Sequence, residues 1–215
     1  MIEVEMKIEL ALQSQEQLQK LFETQPSVHF INQTDQVDSY YDTDQYTCFQ
    51  QAVFIRMRNR AALEMKYHET ADPFHTQCTE RVFPLVAEPH LVDEMNKLGA
   101  RFIPGWHEAV NVEEALALNC LAEFVRIEKQ RKQYVYEDVF LCIDTIPELG
   151  QFLEVEIFCN DDQEIAEAEN RLQEVLLHFA VSPLRAVHVG YVELWLRRHR
   201  PQIYRLGRYQ YEEVC

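Results

Sequence analysis

Four short stretches of this chain place charges of one sign two residues apart, and in three of them apolar residues fill the alternate positions. IEVEMKIEL places Glu3 and Glu5 two residues apart with Lys7 next, and Ile2, Val4, Met6, Ile8 and Leu10 fill the places between. FIRMR pairs Arg56 with Arg58, EKQRK pairs Lys129 with Arg131, and FLEVEIF pairs Glu154 with Glu156. A period of two is that of a β-strand, whose alternate side chains point to opposite faces. A sheet with one wet face also alternates, so any single strand of this kind is unexceptional. Sorting by sign is different, because like charges at this spacing repel. It calls for compensation from outside the strand. The opposite faces (Val4 and Met6, Ile55 and Met57, Val155 and Ile157) call for burial. A strand-rich chain closed into a barrel meets both demands, with helices over the aliphatic faces and the charges converging on an interior.

The remaining pattern supplies strands and helices for such a fold. Alternation or β-rich composition predicts strands over residues 2–12, 39–42, 52–60, 63–68, 77–83, 123–132, 134–136, 139–145 and 152–158. A short helix is expected over 15–22 with Ser14 as its N-cap, and another over 89–98 ending at Gly99. Helices are also expected over 112–118 and 191–198. Residues 161–179 form the strongest amphipathic pattern, with Ile165, Leu172, Val175, Leu176 and Phe179 as the apolar stripe and Asp161 as the cap. With five glycines and no Gly/Ser-rich linker, residues 1–215 read as a single domain, α+β and mainly β. The halves echo each other: an acidic strand precedes basic ones in the first, and a basic strand precedes an acidic one in the second.

Charge narrows the partners. A formal net charge of -16 argues against nucleic acid or an anionic membrane, both of which need a basic face. The six cysteines, at 48, 78, 120, 142, 159 and 215, show no close metal-binding spacing and read as small buried hydrophobes of a reducing compartment. The eight histidines show no HxH or HExxH spacing, so zinc is not expected. The start MIEVEMK lacks the pattern of a secretory signal, and no apolar run reaches membrane length, which predicts a soluble cytoplasmic protein.

The faces can be assembled strand by strand. One side collects Glu3, Glu5 and Lys7; Phe54, Arg56, Arg58 and Arg60; Glu64, Lys66 and His68; Lys129 and Arg131; Asp144; and Glu154 and Glu156. Glu80 is a further candidate for this side from its own strand. Clustered carboxylates suit a hard divalent cation. Clustered Arg and Lys suit a phosphate chain, with Arg offering a planar fork of donors. Together they describe a clamp for a metal-bound polyphosphate, with Lys7 reaching the same phosphates as the metal.

EVEMK matches the ExExK signature of the CYTH superfamily, the triphosphate tunnel metalloenzymes, and the match continues in order through DSYYDT, FIRMR, LEMK, KQRKQY and IDTIPELGQFLEVE. The chain resembles that superfamily over nearly its whole length. The resemblance implies an antiparallel eight-stranded closed barrel forming a tunnel, with helices packed outside. It implies that Glu3, Glu5, Glu154 and Glu156, with Asp144, bind Mg2+ or Mn2+. It implies that Lys7, Arg56, Arg58, Lys66, Lys129 and Arg131 bind triphosphate, with Lys7, Lys66 and Arg131 the catalytic candidates.

Two further stretches are similar to animal thiamine triphosphatases: HTQCTERVFPLVAEP at 75–89 and LRRHRPQIYRL at 196–206. Phe54 falls where those enzymes place a tryptophan beside the thiamine ring. Tyr191 stands where their catalytic C-terminal lysine aligns. The expectation is a metal-dependent triphosphatase acting on thiamine triphosphate or inorganic triphosphate, as monomer or dimer. The alternatives are a class IV adenylyl cyclase, which uses the same clamp on ATP, and a polyphosphate- or nucleotide-binding module without turnover.

Overall fold

The structure is a computed structural model, and it describes residues 2–69, 77–182 and 186–210. Cys215 and the first two residues of the 75–89 stretch lie outside the described residues. The elements are β1 (Ile2–Leu10), α1 (Leu12–Thr24), β2 (Val28–Asp42), α2 (Thr47–Gln50), β3 (Phe54–Arg58), β4 (Ala62–Tyr67), β5 (Gln77–Pro84), α3 (Pro89–Phe102), α4 (Val112–Leu118), β6 (Ala122–Tyr136), β7 (Val139–Ile146), β8 (Gly150–Cys159), α5 (Ile165–His178), α6 (Tyr191–His199) and α7 (Pro201–Tyr204). The strands are antiparallel and close in the order β1-β5-β4-β3-β2-β6-β7-β8, the eight-stranded barrel that the resemblance implies. No helix among the described residues is long and apolar enough to cross a membrane.

The chain divides into two compact units. Unit 1 comprises Met1–Gln36, Thr70–Thr79 and Glu128–Gly190; unit 2 comprises Val37–Glu69, Glu80–Ile127 and Tyr191–Cys215. In unit 1 the aliphatic faces of β1, β7 and β8 are buried against α1 and α5. Val4, Ile8, Leu141, Ile143, Leu153 and Val155 pack there with Leu18 and Phe22 of α1 and with Leu172, Val175 and Leu176 of α5. Each such side chain contributes about 1.5–3 kcal/mol by leaving water. The charged faces of the same strands point the other way, because strand side chains alternate.

In unit 2 the same division holds for β3 and β4. Ile55, Met57, Leu63 and Met65 pack with Met95 and Leu98 of α3 and with Val112 and Ala115 of α4. Three residues, 59–61, join these strands. Asn59 and Arg60 both have positive φ, at 51° and 54°, and Ala61 N–H donates to Arg58 O at 2.9 Å, which is the twist-matched hairpin turn. That turn sets Arg56 opposite Glu64 and Phe54 opposite Lys66.

Several boundaries differ from the sequence reading. Residues 28–38 form the first part of β2, although their mostly exposed and polar side chains give no alternation to read. The strand expected over 52–60 is only β3, because Ala52 turns at φ 57° and Arg60 belongs to the hairpin turn. Helix α1 starts at Leu12 behind Ala11, so Ser14 is inside it and caps nothing. Asp161 instead accepts from Gln163 N–H at 2.9 Å in the turn that precedes α5. Gly99 does not end its helix; α3 continues to Phe102, and a Cβ at Gly99 would meet the Trp106 ring at 2.3 Å. The glycine is there for that close approach. Cys48, Cys142 and Cys159 are buried, as expected of apolar-like thiols, while Cys120 is exposed.

Candidate functional site

In unit 1 the register brings the sequence-selected charges together. Across β1 and β8, Glu5 stands opposite Glu156 and Lys7 opposite Glu154. Across β6 and β7, Arg131 stands opposite Asp144. Lys7 Nζ lies 3.0 Å from Glu154 Oε1 and 3.4 Å from Glu5 Oε1. Arg131 makes a two-pronged contact with Asp144, Nε to Oδ1 at 2.8 Å and Nη2 to Oδ2 at 2.6 Å, and also contacts Glu154 through Nη2. Its Nη1 donates to Glu156 Oε1 at 3.4 Å. Lys129 Nζ reaches Asp144 Oδ2 at 3.2 Å. Glu3, at the end of the row, accepts from Cys78 Sγ at 3.4 Å.

Glu3, Lys7, Lys129, Asp144, Glu154 and Glu156 are buried, with Glu5 and Arg131 partly so, and burial works against their charges. Burial pushes the Glu154 carboxyl up, but Lys7, Arg131 and Lys129 outweigh it and hold it well below the usual carboxylate range. Asp144 is lowered too, against burial, by Lys129 and then Arg131. Burial works against the Arg131 charge, yet Asp144 and Glu154 raise its pKa well above normal. Cys142 follows burial: its thiol is pushed far up, with Arg131 opposing and Glu156 adding to the rise.

Unit 2 holds a second set. Arg56 Nε donates to Glu64 Oε2 at 2.5 Å, its Nη2 to Glu80 Oε1 at 3.4 Å, and its Nη1 lies 3.6 Å from Asp38 Oδ2. Arg58 forks onto Asp38, Nε to Oδ1 at 2.8 Å and Nη2 to Oδ2 at 3.1 Å. Lys66 Nζ meets Glu80 Oε2 at 3.2 Å, so Glu80 does share the face of its basic neighbours. Burial raises the Glu80 pKa, but Lys66 and Arg56 lower it more, to about 2. Arg56 stays charged well above its ordinary range because Asp38 and Glu64 overcome burial.

Phe54 belongs to a different grouping. Its ring lies 6.3 Å from that of Phe49, which in turn lies 6.3 Å from Phe124. Tyr40 is buried opposite Arg56, while Tyr41 packs against the aliphatic core of unit 2. Tyr191 is buried in the first turn of α6. His178 stacks on Tyr136 at 5.2 Å, a packing contact.

Two side chains of these sets, Asp38 and Cys142, escaped the charged face read from sequence, and Glu64, placed on that face, was given no role. Asp38 and Glu64 neutralise Arg56 and Arg58, and Cys142 donates from Sγ to Glu156 Oε1 at 3.0 Å. A signal existed for each: Asp38 lies two before Tyr40 in DSYYD, Glu64 two before Lys66, and Cys142 two before Asp144. The sorted charges thus receive much of their compensation from neighbouring strands. In unit 2 three carboxylates face three bases. In unit 1 five carboxylates (Glu3, Glu5, Asp144, Glu154 and Glu156) share a face with Lys7, Lys129 and Arg131.

The oxygen donors of unit 1 fit a hard divalent cation in kind. Glu5 and Glu156 face each other as like charges, and Oε2 of Glu156 makes no hydrogen bond or ion pair among the described residues. Among the described residues no three His, Cys, Asp or Glu side chains already converge as a metal cage. Asp144 and Glu154 turn toward bases instead. A cavity of about 230 Å³ adjoins Glu5 and Lys7 and is bounded by Glu169, Gln173 and the 186–189 segment. That segment is tied to β1 by Val187 N–H donating to Lys7 O at 2.7 Å.

The fold is a closed antiparallel barrel in which β1, β3, β4, β7 and β8 turn a face of acids or bases away from the aliphatic cores. The family model for the CYTH domain matches residues 1–191, and the chain belongs to that family. No curated protein sequence matches it at a significant level. Among solved structures it is similar to the PH1819 protein from Pyrococcus horikoshii OT3, with TM-score 0.65 and 20% identity over 92% of this chain and 99% of that one. It is similar to a putative adenylate cyclase from Vibrio parahaemolyticus, with TM-score 0.61 and 18% identity over 90% and 97% of the two chains. It is also similar to the putative adenylyl cyclase HpAC1 from Hippeastrum, described as having a dominant triphosphatase activity, with TM-score 0.52 and 13% identity over 97% of each chain. At these identities the likeness shows the fold.

Proposed function

We propose that this protein hydrolyses the terminal phosphoryl bond of a small triphosphate, thiamine triphosphate or inorganic triphosphate, with Mg2+ or Mn2+ as cofactor. The observation that carries the reading is the surplus of carboxylates beside buried bases in unit 1, an arrangement suited to a cation and a phosphate held together. Glu3, Glu5, Glu154 and Glu156, with Asp144 beside them, would hold the cation. When bound, it supplies Lewis-acid polarisation of a phosphoryl oxygen and offsets its charge. Lys7, Lys129 and Arg131 in unit 1, and Arg56, Arg58 and Lys66 in unit 2, would bind phosphate oxygens. Each base now rests on a carboxylate, so its position and charge are set before substrate arrives. Lys7, Lys66 and Arg131 would stabilise the charge that grows as the phosphoryl group transfers to water. Glu80 fixes Lys66 and Arg56, and Phe54 would offer an aromatic surface to an organic group on the triphosphate.

The reading treats residues 1–215 as one functional domain of a cytoplasmic protein, in keeping with its buried thiols. The structural relatives described as putative adenylate cyclases make cyclisation of ATP the reading to test against. Thiamine triphosphate, inorganic triphosphate and ATP, each incubated with Mg2+ or Mn2+, separate the two by phosphorus NMR of the products. Orthophosphate with a diphosphate product is expected, and the fastest substrate names the subtype. Cyclic AMP with pyrophosphate from ATP would replace hydrolysis by cyclisation. Tight triphosphate binding without any product would leave a binding module.

A further inference from the structure

Cys142 lies on β7 two residues before Asp144, so both side chains take the charged face of unit 1. It is fully buried, and its Sγ lies 3.0 Å from Oε1 of Glu156. The same oxygen receives Nη1 of Arg131 at 3.4 Å. Both donors therefore fall on one oxygen of this carboxylate, and no hydrogen bond or ion pair to the other, Oε2, occurs among the described residues. The pattern recurs on the other flank of β1, where Cys78 donates from Sγ to Oε2 of Glu3 at 3.4 Å. Across β5, β1, β8 and β7, a thiol thus stands at each edge of the acidic row.

We propose that Cys142 is a positioning residue: its thiol, with Arg131, holds Oε1 of Glu156 and so turns Oε2 toward the divalent cation. This rests on the cation reading given above. A thiol suits the task because it donates one weak hydrogen bond and adds no charge to a crowded face. A lysine in its place would add a fourth base and erase part of the acidic surplus. A purely apolar side chain would fill the space but leave the Glu156 carboxylate to rotate. Partners behind a ligand commonly change metal affinity by about tenfold or more when removed.

The test compares Cys142→Val, which is larger by about one methyl group and has no donor, with Cys142→Ser, which keeps a donor. Mn2+ binding is followed by electron paramagnetic resonance, and the thermal midpoint of the metal-free protein serves as the fold control. Cys142→Val is expected to weaken Mn2+ binding about tenfold while melting like the parent, and Cys142→Ser is expected to restore most of the affinity. If Cys142→Val does not fold, Cys142→Ala removes the donor by truncation and carries the same comparison. Parent-like Mn2+ binding in the donorless variant, or equal loss in the Val and Ser variants, would reduce Cys142 to a packing residue. If the parent itself takes no Mn2+, the cation reading fails and the positioning role goes with it. Binding by the parent that is unchanged in Cys142→Val overturns the positioning role alone.

Discussion

The two units solve one problem in two ways. Both carry three bases on a buried strand face with aliphatic residues behind it. In unit 2, Asp38, Glu64 and Glu80 match Arg56, Arg58 and Lys66 one for one. In unit 1 the carboxylates outnumber the bases, and two of them, Glu5 and Glu156, stand directly opposite each other. Balanced pairs of this kind hold a basic face ready for an anion. An unbalanced set leaves room for a cation as well. On the function proposed above, that difference would put the cation in unit 1.

The largest expected effect comes from unit 1. Arg131 touches Asp144, Glu154 and Glu156 at once. Arg131→Gln would leave buried carboxylates without their central partner and cost about 3–5 kcal/mol of folding stability, read by chemical denaturation. A loss under 1 kcal/mol would mean that Lys7 and Lys129 alone balance the face, and the contrast between units would weaken.

Acid should strike unit 2 through Glu80. Its folded pKa of about 2 lies below the ordinary 4.5, so its contribution is complete above the ordinary value and is lost as pH falls toward 2. The contribution is at most about 3 kcal/mol by linkage. Stability of the parent and of Glu80→Gln, measured from pH 5 to pH 2, should converge as pH falls. Curves that stay parallel would detach Glu80 from Lys66 and Arg56.

How much of this was open to the sequence depended on what each feature needed. Strand faces need only the period of two, so the acidic and basic rows of β1, β3, β6 and β8 were legible, and with them the closed barrel. Pairing needs register, which the period does not contain. Asp38 and Glu64 were therefore missed as partners of Arg56 and Arg58, although Glu64 lies on a readable strand and Asp38 directly precedes one. Residues 28–38 of β2 were missed because a mostly exposed strand has no apolar face to betray it. Gly99 misled in the opposite sense, since a glycine that admits a tryptophan ring looks in sequence like one that ends a helix. Cys142 was read as a small hydrophobe because its type is most often that, and only the partner strand reveals the carboxylate beside it.

The smallest expected stability effects divide the units most cleanly. Glu64→Gln gives up a charge-assisted bond to buried Arg56 and should cost about 1.5–3 kcal/mol. Glu5→Gln combined with Glu156→Gln removes two opposed like charges, and stability should change by less than about 1 kcal/mol. Cation binding should follow the reverse order. The deciding measurement is calorimetric titration of Mn2+ into the parent, the Glu5→Gln/Glu156→Gln double variant and Glu64→Gln. Binding by the parent, its loss in the double variant and its retention in Glu64→Gln would place the cation on the acidic surplus of unit 1. Undiminished binding in the double variant would contradict that assignment.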